Sequence, residues 1–277
     1  MTRSIFLALA AASFWACVPV PDYMTEEANR APSFPALRKE GETFARLDPG
    51  ASELESLHFK TFAYGQEMAR RVSDSAEAAY GRIMTDTNLY SFRPRALYQI
   101  VVYGSQNEYR NKTGQPEWSG GCSVGNAIYT FVGPQLPQTL AHEMTHLIWY
   151  EYMGRVNLDH RWVNEGLAVY EELKAAGVQR QDPFALSRGT LRQQPLTMDQ
   201  LIHLVPATER ERTVQLWYAQ SESMVRFLIE RGGRMGFSQF LASLRDGRSF
   251  DDAVATAYPG NWRTLADVEG AWQRSLQ

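Results

Sequence analysis

The sequence predicts an α+β protein, in which a small mixed α/β half at residues 51 to 134 precedes a mainly helical half at residues 135 to 277. Short runs of β-forming residues stop near residue 132, and helix-period segments follow one another after residue 136. The apolar fraction is 44%, which excludes a chain that is disordered throughout. We therefore expect one folded domain from residue 51 to residue 277.

The first half supplies three strand candidates and one helix. Residues 57 to 62 alternate in hydrophobicity, and residues 95 to 103 (RALYQIVVY) are rich in β-formers. A helical pattern lies between them at residues 65 to 84. Residues 116 to 121 indicate a turn, and residues 126 to 132 (NAIYTFV) indicate the last strand.

The second half has the 3.6-residue period of amphipathic helices, interrupted by Gly, Pro or Asp. The predicted helices cover residues 136 to 152, 163 to 176, 197 to 204, 215 to 231, 235 to 246 and 261 to 275.

Charge and cysteine content exclude several classes of protein. The chain has 31 acidic and 28 basic residues, so no uniform positive field is available to bind nucleic acid. Its two cysteines, Cys17 and Cys122, are too few for a disulfide scaffold or a Cys-rich zinc site. Any metal site must therefore use histidine and carboxylate ligands. We expect Cys122 itself to be a small, partly buried apolar residue.

The N-terminus is typical of an exported protein. Residues 1 to 16 contain one cation and then a long uncharged run, which is the layout of a signal peptide. The following Cys17 resembles the lipid-modified cysteine of bacterial lipoproteins, which implies membrane attachment in the periplasm or cell envelope. Phe14 and Trp15 depart from that pattern, and cleavage after Ala12 is the alternative. Proline-rich residues 17 to 50 are expected to be a tether and an irregular segment.

The chemistry is carried by the sequence HEMTH, which begins at His142. His142 and His146 are four residues apart on a predicted helix, so both imidazoles leave the same face about 6 Å apart along the axis. They are able to bind one ion. Glu143 lies off this line of ligands, where its carboxylate can take a proton from water.

A third ligand is needed, because catalytic zinc sites usually have three protein ligands and a water. Glu165 lies in WVNEGLA at the start of the next predicted helix, with eighteen residues between it and His146. Gly166 and Ala168 are small and would allow this helix to approach the first one closely. His142, His146 and Glu165 are therefore the predicted ligands of Zn²⁺.

With these motifs the chain resembles the gluzincin metallopeptidases, in particular the zinc aminopeptidases and the bacterial peptidase-MA-like domains. The segment GNAIYTFVGPQLPQTLAHEMTH and the later WYAQS and VRFL are also similar to the peptidase-MA-like group, so the likeness covers about residues 55 to 275. The resemblance implies a zincin-like fold in which His142, His146 and Glu165 bind zinc. It also implies that Glu143 is the general base and that zinc-activated water hydrolyses a peptide or protein substrate.

Two departures from the related families affect this hypothesis. Zinc aminopeptidases bind the substrate amino group with a glutamate in a strand, whereas the comparable residues 125 to 129 (GNAIY) contain none. This difference favours an endopeptidase. Relatives of thermolysin have an Asp four residues after the ligand glutamate, where this chain has Val169. The partner that orients the zinc histidines is therefore left unidentified.

Other residues near the motifs have two interpretations. Tyr218 is either an oxyanion donor, as the resembling families suggest, or a packed aromatic residue. Residues 126 to 131 are either a free strand edge that binds an extended peptide or an internal strand. We expect His160 to be a surface residue or a neighbour of the site, and Glu171 and Glu172 to form the solvated face of their helix.

The sequence as a whole predicts an exported zinc-dependent endopeptidase. A zinc-binding envelope lipoprotein with little or no catalytic activity is the alternative, and another type of metallohydrolase is a third hypothesis. The intact Glu143 favours an enzyme, because a site that only binds metal has no need of a base.

Overall fold

A computed structural model describes residues 44 to 177, 185 to 205 and 211 to 277. The predicted signal peptide, Cys17 and most of the predicted tether lie outside these described residues. Within the described ranges, no helix is both long enough and apolar enough to cross a membrane.

The N-terminal half is built around a five-stranded mixed sheet with the order β1-β2-β3-β5-β4. The strands β2, β3 and β5 run parallel, and β1 and β4 are antiparallel edge strands. Their bounds are β1 Ala51–Glu55, β2 Phe59–Tyr64, β3 Tyr98–Tyr103, β4 Gly121–Val124 and β5 Ala127–Phe131. The interpretation of residues 126 to 131 as a free edge is therefore wrong, since β5 lies between β3 and β4.

Two helices connect the parallel strands, as parallel pairing requires a crossover. Helix α1 (Gln66–Thr87) joins β2 to β3 and packs against β2, and helix α2 (Gln106–Thr113) follows β3. Ser105 caps α2 by accepting a hydrogen bond from the Glu108 N–H.

The C-terminal half is helical, and the α+β prediction is confirmed. After α3 (Leu136–Met153) and a short 3₁₀ turn (Leu158–His160) come α4 Arg161–Ala176, α5 Ala185–Gln193, α6 Met198–His203, α7 Glu211–Glu230, α8 Arg234–Arg245, α9 Phe250–Ala257 and α10 Leu265–Ser275. The pattern at residues 261 to 275 corresponds to α10, which begins at Leu265, and helices α2, α5 and α9 were not predicted.

Helix α4 lies at the centre of this half and packs against both α3 and α7. A Cβ atom on Gly166 would lie 2.4 Å from the Ser221 carbonyl oxygen and 2.8 Å from Val225 Cγ2. Both neighbours belong to α7. The expectation that Gly166 allows α4 to approach α3 is therefore wrong, because the missing side chain makes room for α7.

Ion pairs made by two buried acids connect the two halves. Asp86 at the end of α1 bonds Lys174 of α4 and lies 2.8 Å from Arg234 of α8. Glu171 is fully buried and pairs with Arg82 of α1 at 2.8 Å, so its assignment to a solvated face is wrong. Burial raises the pKa of Glu171 to about 7, although Arg82 acts in the opposite direction.

Candidate metal centre

The candidate site lies on the middle of α3, which is enclosed by protein. Residues 139 to 149 of this helix are all buried. Helix α3 ends at Met153, and Gly154 caps it in the left-handed conformation at φ 66°, which glycine adopts without steric cost. His142, Glu143 and His146 are 1%, 4% and 7% exposed. Such polar groups are stable in the interior only when they have partners.

Three ligand atoms converge on one point. Nε2 of His142 lies 3.2 Å from Nε2 of His146, and Oε2 of Glu165 lies 4.0 Å from the first nitrogen and 3.7 Å from the second. Tetrahedral ligands at the usual zinc distances of about 2.0 to 2.1 Å lie about 3.3 Å from one another. The separations and the two-imidazole, one-carboxylate donor set therefore fit a metal ion, and the three predicted ligands lie together as a candidate metal site.

Both histidines are oriented by residues of α4. His142 Nδ1 lies 3.0 Å from Glu172 Oε2, and His146 Nδ1 lies 3.0 Å from Asn164 Oδ1. Because both partners are oxygen acceptors, each Nδ1 carries the donated proton and each Nε2 lone pair is directed to the common point. Glu172 thus has a specific role beside the site, and its assignment to a solvated face is wrong.

The charges around His142 strongly favour its protonated form. Burial by itself lowers the pKa of this imidazole, but the hydrogen bond and charge of Glu172, together with Glu143 and Glu165, raise the pKa to about 9. The same negative charges attract a metal cation. A proton and a cation compete for Nε2, so binding of a metal at this site is coupled to proton release.

Glu143 lies beside the ligand group and contacts the sheet. Burial raises the pKa of its carboxyl group, while the two histidines and a hydrogen bond from Ser123 of β4 act in the opposite direction. A raised pKa makes a carboxylate a better proton acceptor near neutral pH. The arrangement therefore suits Glu143 for general-base chemistry.

The edge strand β4 runs close to the helix that carries the histidines. A Cβ atom on Gly121 would lie 2.6 Å from Thr139 Cγ2, so only glycine permits this approach. The next residue, Cys122, is buried and has its thiol pKa raised to about 12 by burial and by the charge of Glu143. This thiol stays protonated, which agrees with its interpretation as an apolar residue rather than a nucleophile.

The remaining residues near the motifs lie outside the group of metal-ligand atoms. Tyr218 of α7 is half-buried, packs against the main apolar core and lies 5.1 Å from the Trp217 ring, so its role as a donor stays a prediction. His160 is buried rather than on the surface, and its Nε2 lies 3.1 Å from Asn157 Nδ2. Trp149 and Trp162 are buried in the core.

Asn164 and Glu172 are the site residues that the sequence interpretation missed. Glu172 is seven residues after Glu165, which is two helical turns, so helical periodicity could have placed both carboxylates on one face. Asn164 directly precedes Glu165, and no periodicity argument distinguishes it from a capping or surface amide. Only the packing of α4 on α3 assigns each of them to a particular histidine.

Comparison with known proteins provides one match. The family model described as peptidase MA superfamily matches residues 75–277, which include every residue of the candidate site. No curated protein and no solved structure matches the chain. The family match supports a peptidase-like enzyme, in agreement with the His-His-Glu group as a metal site.

Proposed function

The chain belongs to the peptidase MA superfamily, and from this membership we propose that it is a zinc-dependent metallopeptidase acting on peptide or protein substrates. The observation that carries the proposal is the convergence of His142 Nε2, His146 Nε2 and Glu165 Oε2 within 4.0 Å of one another. Two imidazoles and a carboxylate match the ligand set of catalytic zinc in peptidases. Zinc is accordingly the proposed cofactor.

The proposed mechanism uses the chain's own residues as follows. When bound, zinc supplies Lewis-acid polarisation of a carbonyl group and lowers the pKa of water from about 15.7 towards 7. His142, His146 and Glu165 hold the ion. The Glu143 carboxylate accepts a proton from the attacking water and then donates it to the departing amide nitrogen. Its raised pKa helps it to retain the proton between these two steps.

We propose an endopeptidase rather than an aminopeptidase. The edge strand β4, which lies against α3, has the sequence GCSV and offers no carboxylate to bind a free amino group. The same holds for residues 125 to 129, which include most of the adjacent strand β5. An extended substrate is proposed to pair with the open side of β4 by strand addition, next to Ser123 and Glu143. Such pairing recognises backbone and requires no chain end.

The proposed location is the cell envelope. The support is entirely in the sequence, where residues 1 to 16 have the composition of a signal peptide and Cys17 follows a small residue. Lipid attached to Cys17 would anchor the peptidase domain to a membrane.

The decisive experiment compares the metal content and the activity of residues 18 to 277 in four forms. These are the parent, Glu143→Gln, Glu165→Ala and the control Glu230→Gln, which changes an acid that is half-exposed on α7. We expect about one zinc per chain in all forms except Glu165→Ala. Cleavage of an unfolded protein should fall about a thousandfold or more in Glu143→Gln and be unchanged in the control.

The alternative outcomes separate the hypotheses. Unchanged cleavage by Glu143→Gln would contradict the base assignment. Full zinc content without cleavage of any peptide by the parent would favour the zinc-binding lipoprotein or a different metallohydrolase.

A further inference from the structure

A second concave site lies away from the metal centre. It is an open cleft of about 710 Å³ between the turn that precedes β2, the second half of α1 and the loop at residues 90 to 97. None of its lining residues belongs to α3 or α4, and none is acidic. Its walls are largely apolar, with Met84 and Leu97 inside and the exposed side chains of Leu57 and Tyr90 (79% and 57% exposed) at the mouth.

A buried hydroxyl group in the wall of this cleft has no partner. Tyr80 is only 4% exposed, and its phenolic oxygen forms no hydrogen bond with any of the described residues. An unpaired buried hydroxyl group has lost the hydrogen bonds that it made with water in the unfolded chain, and a bound ligand can replace them. Burial raises the pKa of Tyr80, and the positive charge of Arg93 is the strongest influence in the opposite direction. Tyr80 and Arg93 both line this cleft.

Arg93 is held in place beside the cleft by its own loop. Its Nη1 donates hydrogen bonds to the carbonyl oxygens of Tyr90 and Phe92, both at 2.7 Å. Across the part of the chain that the structure describes, Arg93 has no carboxylate partner, and its Nε and Nη2 groups make no hydrogen bond. A guanidinium group fixed in this way loses little entropy when it binds an anion.

His58 also lines the cleft, and the acids nearby are already engaged. Its ring stacks on Tyr80 at 3.9 Å, and its Nδ1 lies 2.7 Å from Glu77 Oε2. The Glu77 carboxylate also accepts hydrogen bonds from Ser56 Oγ and the His58 N–H. Glu151, the other acid that acts on Tyr80, accepts a hydrogen bond from Tyr98. An anion in the cleft would therefore meet donors without a competing free carboxylate.

We propose that this cleft binds a carboxylate carried on an apolar body, with Arg93 and Tyr80 binding the carboxylate and the apolar walls binding the rest. One fixed guanidinium group matches a single negative charge better than a phosphate dianion. Two sources share this chemistry, namely an aliphatic acid and the C-terminus of a peptide that ends in an apolar residue. The site is independent of the peptidase proposal.

The test is calorimetric titration of the purified protein with octanoate and with N-acetyl-L-leucine, in the presence of EDTA so that no carboxylate binds to a metal. We expect at least one of these acids to bind with a dissociation constant of about 1 mM or tighter, and the matching amides, octanamide and N-acetyl-L-leucinamide, to bind about tenfold more weakly. Preference for octanoate would assign an aliphatic acid, and preference for N-acetyl-L-leucine would assign a peptide C-terminus.

Variants then locate the binding. Arg93→Gln should weaken it about tenfold, and Tyr80→Phe about threefold. Tyr80→Phe should fold normally, because the hydroxyl that it removes has no partner in the described structure. Arg95→Gln is the matched control, since Arg95 lies in the same loop, is largely exposed and does not line the cleft.

Three results would overturn the proposal. The first is that neither acid binds at 10 mM, which is about tenfold above the expected dissociation constant. The second is equal affinity for the acids and their amides. The third is an equal effect of Arg93→Gln and Arg95→Gln on binding. Unchanged binding in Glu165→Ala would further show that the acids do not act through the metal centre.

Discussion

The carboxylate of Glu172 lies 3.0 Å from Nδ1 of His142, two helical turns after the ligand carboxylate of Glu165. Relatives of thermolysin are expected to have this acid one turn after the ligand, where the present chain has Val169. In this chain a side chain on the same helix face, one turn further on, reaches an imidazole of the candidate site. The motif spacing changes, and the hydrogen bond that fixes the histidine tautomer is retained.

Removal of the Glu172 carboxylate should weaken metal binding. We expect Glu172→Ala to reduce zinc affinity about 10 to 100-fold, because His142 loses the acceptor that orients it and raises its basicity. Glu172→Gln keeps a hydrogen-bond acceptor and should therefore show a smaller loss of zinc affinity. Competition with a chromophoric chelator measures the affinity.

The neighbouring Glu171 provides the control for this prediction. It lies on the same helix but pairs with Arg82 and contacts neither histidine, so Glu171→Gln should leave zinc affinity unchanged. Equal affinity in Glu172→Ala and the parent would show that Glu172 does not position His142.

A methyl group at Gly166 should destabilise the fold. Its Cβ would overlap the Ser221 carbonyl oxygen on α7, and backbone cannot move aside as a flexible side chain can. We expect Gly166→Ala to lower the free energy of unfolding by about 1 to 3 kcal/mol in urea titrations. Gly81→Ala, in an α1 position with nothing within 4 Å of the new Cβ, should be neutral or stabilising by up to about 1 kcal/mol. If both variants were equally stable, close packing of α4 on α7 would not explain the glycine.

His160 should make the protein sensitive to acid. Burial lowers the pKa of His160 from 6.5 to about 4, with Arg155 acting in the same direction and Asp159 in the opposite one. Between these values the unfolded chain binds a proton that the folded chain excludes, so stability falls as pH drops from about 6.5 towards 4.

The measurement compares the parent with His160→Gln in urea at pH 7 and pH 5. Between these two pH values, the free energy of unfolding of the parent should fall by about 1 to 2 kcal/mol more than that of the variant. Identical losses would mean that His160 is not the group responsible. The comparison cancels the titration of other groups, including Glu171.

The three candidate ligands could be predicted from the sequence, because each of them was identified from local helical periodicity. His146 comes four residues after His142, which is about one helical turn, and the residues around Glu165 indicate the start of another helix. The residues that hydrogen-bond the two histidines could not be predicted from the sequence. A hydrogen bond between α4 and α3 depends on the rotation of each helix about its axis, which the sequence does not give. Glu171 and Glu172 show this clearly, since both are polar helix residues and only packing assigns one to Arg82 and the other to His142.

The sheet was predicted less completely than the helices. The central strands β3 and β5 contain apolar and aromatic segments, and β2 overlaps a segment of alternating hydrophobicity, and both patterns are signals of strands. The edge strand β4 has four residues, with glycine, cysteine and serine among them, and resembles a turn in sequence. Its pairing with β5 supplies the stability that its own composition lacks.

The shortness of β4 also affects self-association. A sheet edge is a template for pairing with another copy of the same chain as well as with a substrate, and long flat edges aggregate for this reason. A strand of four residues offers few backbone hydrogen bonds. Two molecules that paired along this edge would therefore gain little binding free energy and would dissociate readily. A substrate that pairs there through its backbone must therefore add side-chain contacts to bind tightly, and among the described residues no strand pairs with the outer edge of β4.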